Sequence, residues 1–245
     1  MGINYYGITD VGLKRSNNQD CFEICETSDG LVLMVVCDGM GGAAGGSEAS
    51  TLAVDTFISY AKEHLDKVEK EEYLDVLQSA LHDANKLVCE KAKNSKELEG
   101  MGTTLVCALY DGESYYCIWV GDSRIYALDN SGICQISHDH SFVQNLLDSG
   151  RITKEEAKQH PNRNIITKAV GIDDGILGDV CTLHAENIRG VLLCSDGLCG
   201  YVPEEVIAET LNAKENIEEC CAELVKLAND SGGFDNITVA LHRKK

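Results

Sequence analysis

The sequence predicts an α+β fold, antiparallel sheets covered by helices, and three observations carry that expectation. Short strands follow one another over about 103–110, 114–120, 124–128 and 132–136, with Asp111-Gly112, Gly121-Asp122-Ser123 and Asn130-Ser131-Gly132 between them. Turns this short join hairpins. The run at 31–37, LVLMVVC, is continuously apolar, as in a strand buried on both faces. The elements run as strands, two long helices, a strand meander, then helices and a last strand, without the βαβα alternation of a parallel sheet.

Element by element, 2–8 and 20–26 read as strands on either side of a polar turn at 14–18. The run 31–37 leads into a glycine-rich loop at 39–46, and Ser47 stands where it can cap a helix. That helix keeps Ala49, Leu52, Ala53, Thr56, Phe57 and Tyr60 on one face. A second helix spans about 71–93, with Leu74, Leu77, Leu81, Ala84 and Val88 as its stripe. After the meander, 141–160 reads as polar and helical, broken at Pro161. Strands at about 177–183 and 190–194, helices at about 203–212 and 215–229, and a strand at 237–241 complete the chain.

The 245 residues carry 21 basic and 40 acidic side chains, a net charge of −19, with 44% hydrophobic and 25% charged residues. This composition is globular rather than disordered, and the length suffices for one large core. Only two prolines occur and no low-complexity stretch marks a linker, so 1–245 is expected to be a single domain. The acidity repels nucleic acid and anionic membranes and can concentrate divalent cations. The 12 cysteines form no CxxC pair and sit mostly in apolar runs, as reduced thiols acting as small hydrophobes do. The N-terminal sequence has no apolar run of signal-peptide length, and Tyr6 stands where a myristoylation motif needs Ser or Thr. The run 31–37 is too short to span a bilayer. The expectation is a cytoplasmic monomer without membrane or nucleic-acid partners.

The acidic residues are more informative by position than by number. Asp38 and Asp196 end buried strands, Asp235 precedes the last one, Asp122 sits in a turn between two, and Asp20 starts another. A carboxylate at a buried strand end is costly unless paired or bound to a cation. The basic residues near these positions are few, Arg15, Arg124 and Lys168. Clustered carboxylates short of basic partners favour a hard divalent ion, Mg²⁺ or Mn²⁺, with oxygen ligands and water. Against this, Asp38-Gly39 and Asp196-Gly197 are each also ordinary turn dipeptides.

Three rival motifs are weaker. Gly39-Met-Gly-Gly-Ala-Ala44 follows the G-x-G-x-x-A spacing of a dinucleotide site, but Asp38 before it would repel a pyrophosphate and alternating βα units are missing. Gly121-Asp122-Ser123 resembles a serine nucleophile block, without a suitably spaced histidine base. His138-Asp139-His140 reads as loop chemistry before a helix capped at Ser141 rather than as a metal cluster.

Eight blocks, in order along the chain, resemble the metal-dependent serine/threonine protein phosphatases of type 2C in their bacterial form. They are Arg15-Ser-Asn-Asn-Gln-Asp20, Val36-Cys-Asp-Gly-Met-Gly-Gly42, Gly102-Thr-Thr-Leu105, Trp119-Val-Gly-Asp-Ser-Arg124, Asp139-His-Ser141, Ile166-Thr-Lys-Ala-Val-Gly171, Cys194-Ser-Asp-Gly197 and Asp235-Asn-Ile-Thr238. The resemblance implies a four-layer αββα sandwich and two core metals, Mn²⁺ or Mg²⁺. Asp38 would bridge them, the Gly39 carbonyl would bind one, and Asp196 and Asp235 would complete the other. Asp122, with Asp196, would hold a third, weaker metal, Asp20 would act through water, and Arg15 would grip the substrate phosphate. Residues 138–165 would form a flap beside the site.

The chain departs from the family pattern at Gln19, where the family usually carries Glu, and at Met40, where animal relatives carry His. The implied reaction is hydrolysis of phosphoserine and phosphothreonine on proteins by a hydroxide held between the metals, with substrates expected to be those of a cytosolic Ser/Thr kinase. The alternative, motivated by Gln19, is a catalytically weak phosphopeptide-binding or regulatory module on the same fold.

Overall fold

The computed structural model describes residues 4–130 and 132–244. Ser131 of the expected turn and the first residues of the expected 2–8 strand lie outside the described residues. Eleven strands occur among the described residues: β1 (Tyr5–Asp10), β2 (Asp20–Glu26), β3 (Val32–Met40), β4 (Gly102–Thr103), β5 (Leu105–Tyr110), β6 (Ser114–Val120), β7 (Arg124–Leu128), β8 (Ile133–Gln135), β9 (Asp179–His184), β10 (Gly190–Cys194) and β11 (Ile237–Arg243). The α-helices are α1 (Gly42–His64), α2 (Tyr73–Asn94), α3 (Phe142–Asp148), α4 (Lys154–Gln159), α5 (Asp196–Cys199), α6 (Glu204–Ala213) and α7 (Ile217–Asp230). One sheet has the order β1-β11-β10-β7-β8, the other β2-β3-β5-β6-β9 with β4 on the end of β3, and every pairing is antiparallel.

The continuous apolar runs follow from sandwiching the two sheets between helices. In β3, Leu33, Val35 and Cys37 pack under α1 and α2, while Val32, Met34 and Val36 face the other sheet. In β10, Leu192 and Cys194 pack with α6 and α7, and Val191 and Leu193 turn toward the opposing sheet. Both faces of each strand are therefore buried although the sheets are antiparallel. The expected α+β, four-layer αββα sandwich is the fold observed.

Four local expectations need correction. The glycine-rich segment 39–46 is not a loop: β3 runs to Met40, α1 begins at Gly42, and Ser47 lies inside the helix, where it caps nothing. Its glycines permit close approach. A Cβ on Gly39 would lie 2.0 Å from the Gly46 carbonyl oxygen, and one on Gly46 would lie 2.7 Å from the Gly39 oxygen. The reversal is made at Gly41, whose φ of 116° favours glycine. Asp38-Gly39 and Asp196-Gly197 are not turns, since the first lies within β3 and the second opens α5. The expected strand 103–110 breaks at Thr104 into β4 and β5. The 141–160 segment forms two short helices, α3 capped by Ser141 as expected and α4 closed by a Thr153–Glu156 capping box.

No disulfide links the cysteines, and most are buried or half-buried, with Cys134 exposed. Among the described residues no helix is long and apolar enough to cross a membrane.

Candidate metal and phosphate site

Strand register brings acids from both sheets to one end of the sandwich. Asp20 is paired opposite Asp38 across β2 and β3. In the other sheet Cys194 of β10 pairs with both Arg124 and Val239, so the end of β10, the 121–123 turn and the start of β11 are neighbours. These three places carry Asp196, Asp122 and Asp235. Asp38 accordingly lies within electrostatic reach of Asp20, Asp196, Asp122 and Asp235. The five aspartates singled out from the sequence are thus brought together.

Hydroxyls and amides that the sequence reading passed over set their orientation. Asp20 Oδ2 accepts hydrogen bonds from the Ser195 and Thr238 hydroxyls, both at 2.7 Å, which ties β2 to the opposite sheet. The Asp38 N–H donates to Thr104 Oγ1 at 2.9 Å, and the Asp38 carbonyl accepts from Thr103 Oγ1 at 2.9 Å. Thr104 Oγ1 in turn bonds Ser123 Oγ at 2.7 Å, coupling Asp38 to the Asp122 turn. Buried Asn236 donates to the carbonyls of Val11 and Asn17, both at 3.0 Å, and accepts the Gln19 N–H at 2.8 Å. It thereby fixes the segment carrying Arg15 beside Asp235. Ser195, Asn236, Thr238 and Thr104 all lie within or next to the matching blocks, but no periodicity in the sequence marks them.

Burial and mutual repulsion make this cluster resist ionisation. Burial, opposed by the two hydroxyls, pushes Asp20 up to about 7, with Asp196 and Asp235 adding to the rise. Burial and the Asp196 charge push Asp122 up to about 8. Asp196 rises to about 6, through burial and then Asp235, restrained by a hydrogen bond with Asp38. Asp38 is raised well above the usual carboxylate range, by burial and then by its four acidic neighbours. Buried Asp20 Oδ1 and Asp196 Oδ1 have no hydrogen-bond partner. Orphaned anionic oxygens at a shared site are the donor set that a hard divalent cation fits. Among the described residues no three acidic, His or Cys side chains form a ready-made cage, so a divalent ion would need small side-chain adjustments here and water to complete its shell.

Arg15 is the cation that joins the cluster. Its Nη2 donates to Asp235 Oδ2 at 2.8 Å, and the side chain stays 51% exposed. The Gly39 carbonyl is left uncrowded only because position 46 lacks a side chain. Gln19 directs its Nε2 to the Gly42 carbonyl at 2.9 Å, tying the start of β2 to α1. A Glu there would have no proton to donate. The other two nearby basic residues are bonded to acids outside the cluster: Arg124 holds Asp139 through three hydrogen bonds of 2.8–3.1 Å while its charge also steadies Asp122 and Asp196, and Lys168 pairs with Asp179 at 3.0 Å.

The rival motifs fail on geometry. The neighbours of β3 are antiparallel, so no βαβ unit surrounds Gly39. Ser123 is fully buried against Thr104 with no histidine beside it. In 138–140 each side chain serves a separate partner: His138 meets Asp148, Asp139 meets Arg124, and His140 Nδ1 accepts the Gly121 N–H.

An acid-lined end on a two-sheet, four-layer sandwich defines a class, and the chain belongs to the protein phosphatase 2C family, whose profile matches residues 13–242. It is 38% identical over 233 residues to the serine/threonine phosphatase stp of Listeria innocua, covering 95% of this chain and 92% of that one. The serine/threonine phosphatase Stp1 from Staphylococcus aureus superposes with a TM-score of 0.94 at 36% identity, covering 100% of this chain and 96% of the other. The catalytic domain of the serine/threonine phosphatase PstP, solved in complex with two manganese ions, superposes with a TM-score of 0.85 at 34% identity over 98% of this chain and 96% of its own.

Proposed function

We propose that the protein is a metal-dependent phosphatase acting on phosphoserine and phosphothreonine of other proteins, with 1–245 as one catalytic domain. The observation that carries this reading is the gathering of five aspartates, three of them within reach of the Arg15 guanidinium, with two buried carboxylate oxygens left unpartnered. In this reading Asp38, the Gly39 carbonyl, Asp196 and Asp235 would hold the two core ions, and Asp122 with Asp196 would hold a third. Divalent ions bound there supply an acidified water and neutralise charge on the phosphoryl oxygens. Mn²⁺ is the first ion to test, given the two-manganese PstP domain. Mg²⁺ suits the same oxygen donors.

The chain's own residues do the rest. Arg15 turns its free donors to the non-bridging phosphoryl oxygens, a planar fork that Lys cannot reproduce. Asp20 stands behind the reacting centre, held by Ser195 and Thr238, where its free oxygen can take up a proton from solvent water. Ser195, the site hydroxyl that meets a carboxylate, is fully buried and committed to Asp20, so direct attack by water suits the residues present better than a covalent phosphoenzyme. The 138–165 segment acts as a flap, anchored at its base by Arg124–Asp139 and by the His140 and Gly121 backbones. A cytoplasmic monomer opposing a Ser/Thr kinase is the cellular setting this reading implies.

The test is phosphate release from a phosphothreonine peptide with and without Mn²⁺, for the wild type and Asp38→Asn. The wild type should require the metal, and the variant should lose at least about a thousandfold in kcat. Wild-type turnover by Asp38→Asn would sink the mechanism, and metal-independent silence of the wild type would favour a binding module.

A further inference from the structure

Beside Arg15 the surface is apolar where an acidic chain has little reason to be. Val11, Leu13 and Phe234 are 38%, 67% and 50% exposed. They come from two segments fastened together by backbone. The N–H groups of Leu13 and Lys14 both donate to the Gly233 carbonyl, at 2.8 and 3.0 Å, and the Val11 carbonyl accepts from Asn236 at 3.0 Å. A Cβ on Gly12 would fall 2.2 Å from the Asp235 carbonyl oxygen, and one on Gly233 would fall 2.7 Å from Leu13 Cγ. Leu13 therefore lies across Gly233, and Phe234, next in the chain, stacks on Tyr201 with ring centroids 5.3 Å apart.

The position of this apolar rim is set by the site. Leu13 is two residues before Arg15, Phe234 is one before Asp235, and Arg15 and Asp235 are joined at 2.8 Å. A phosphoryl group held by Arg15 brings the neighbouring residues of its peptide within reach of this rim. An acidic neighbour would meet exposed Lys14 and Arg15 locally but a protein of net charge −19 as a whole. An apolar neighbour would remove Leu13 and Phe234 from water. We propose that the Val11–Leu13–Phe234 rim receives an apolar residue flanking the phosphorylated Ser or Thr of the substrate protein, and so selects among phosphosites. The inference rests on the phosphatase reading above.

The experiment uses the full chain with Mn²⁺ and phosphothreonine peptides identical except for flanking Leu, Gly, Lys or Asp. The wild type should show a KM about tenfold lower for the Leu-flanked than for the Gly-flanked peptide, the size of discrimination an apolar contact gives, and a higher KM still with Asp. In the Leu13→Ser/Phe234→Ser double variant that preference should collapse while kcat is kept, since both side chains are exposed and neither touches the phosphoryl group. Leu13→Asp alone should shift the preference toward the Lys-flanked peptide. Equal KM values for Leu and Gly flanks in active wild-type enzyme would overturn the inference and leave the phosphatase reading standing. No Mn²⁺-dependent release from any peptide would overturn both. A double variant that changed sedimentation but not peptide preference would make the rim a self-association surface, and the inference would fall.

Discussion

Two groups of buried acid sit within a few residues of each other and behave in opposite ways. Asp139 is held by Arg124 Nε and Nη2 and by Gln135 Nε2, with distances of 2.8–3.1 Å, so its charge is fully compensated. Asp122, two residues before Arg124, belongs instead to a cluster where burial and like charge push Asp20, Asp122 and Asp196 up toward neutrality. A satisfied pair fixes structure and has no use for a ligand. An under-compensated cluster stores electrostatic free energy that a cation can release.

Substitutions should separate the two regions sharply. Removing the cation from the satisfied pair, in Arg124→Met, leaves Asp139 buried with only the neutral Gln135 amide as partner and should cost about 3 kcal/mol of stability. It is read as a fall in the urea midpoint. Removing a charge from the cluster should do the reverse. Asp38→Asn should raise the melting temperature of metal-free protein while abolishing the rise that Mn²⁺ gives the wild type. If both substitutions destabilised the metal-free protein alike, the distinction between the regions would be lost.

A smaller effect, about 1–3 kcal/mol, is expected for Asn236→Ala, which strands the Gln19 N–H and two carbonyls. It should also weaken phosphate binding by loosening the Arg15 segment, visible as a raised KM. An unchanged KM would mean that Arg15 is positioned by Asp235 alone.

The pH dependence sharpens the same contrast. Asp20, Asp122 and Asp196 hold protons more tightly folded, at about 7, 8 and 6, than at their ordinary value of 3.8. Their contribution to metal-free stability is therefore complete below the ordinary value and lost as pH rises through the folded values. His242, lowered to about 4 by burial, acts in the opposite sense as pH falls below its usual 6.5. Between about pH 6.5 and 8.5 the cluster dominates, so metal-free protein should melt lower at the alkaline end, and Mn²⁺ should remove the difference. A metal-free melting temperature that rose across this window would contradict the assignment of the raised groups.

Much of this site was legible in the chain because strand ends are legible. The apolar runs 31–37 and 190–194 located the ends at which Asp38 and Asp196 stand, and the ordered blocks named the fold. What escaped was whatever depends on contact between distant segments. The 39–46 glycines looked like a loop because the clash they avoid, between Gly39 and Gly46, exists only once α1 lies on β3. Ser195, Thr238 and Asn236 carry no pattern of their own, since their partners are about 40 to 220 residues away. Gln19 stood out only as a departure from the family's Glu, and its amide donates to the Gly42 carbonyl, a contact visible only once α1 is in place.

The most direct test of the central claim, that the under-compensated aspartates exist to hold metal, is to count Mn²⁺ bound per chain by equilibrium dialysis while following phosphate release. At least two ions should bind to the wild type, activity should rise in step with them, and Asp38→Asn should hold at most one and stay inactive. Full activity in metal-stripped protein, or unchanged stoichiometry in Asp38→Asn, would contradict the account.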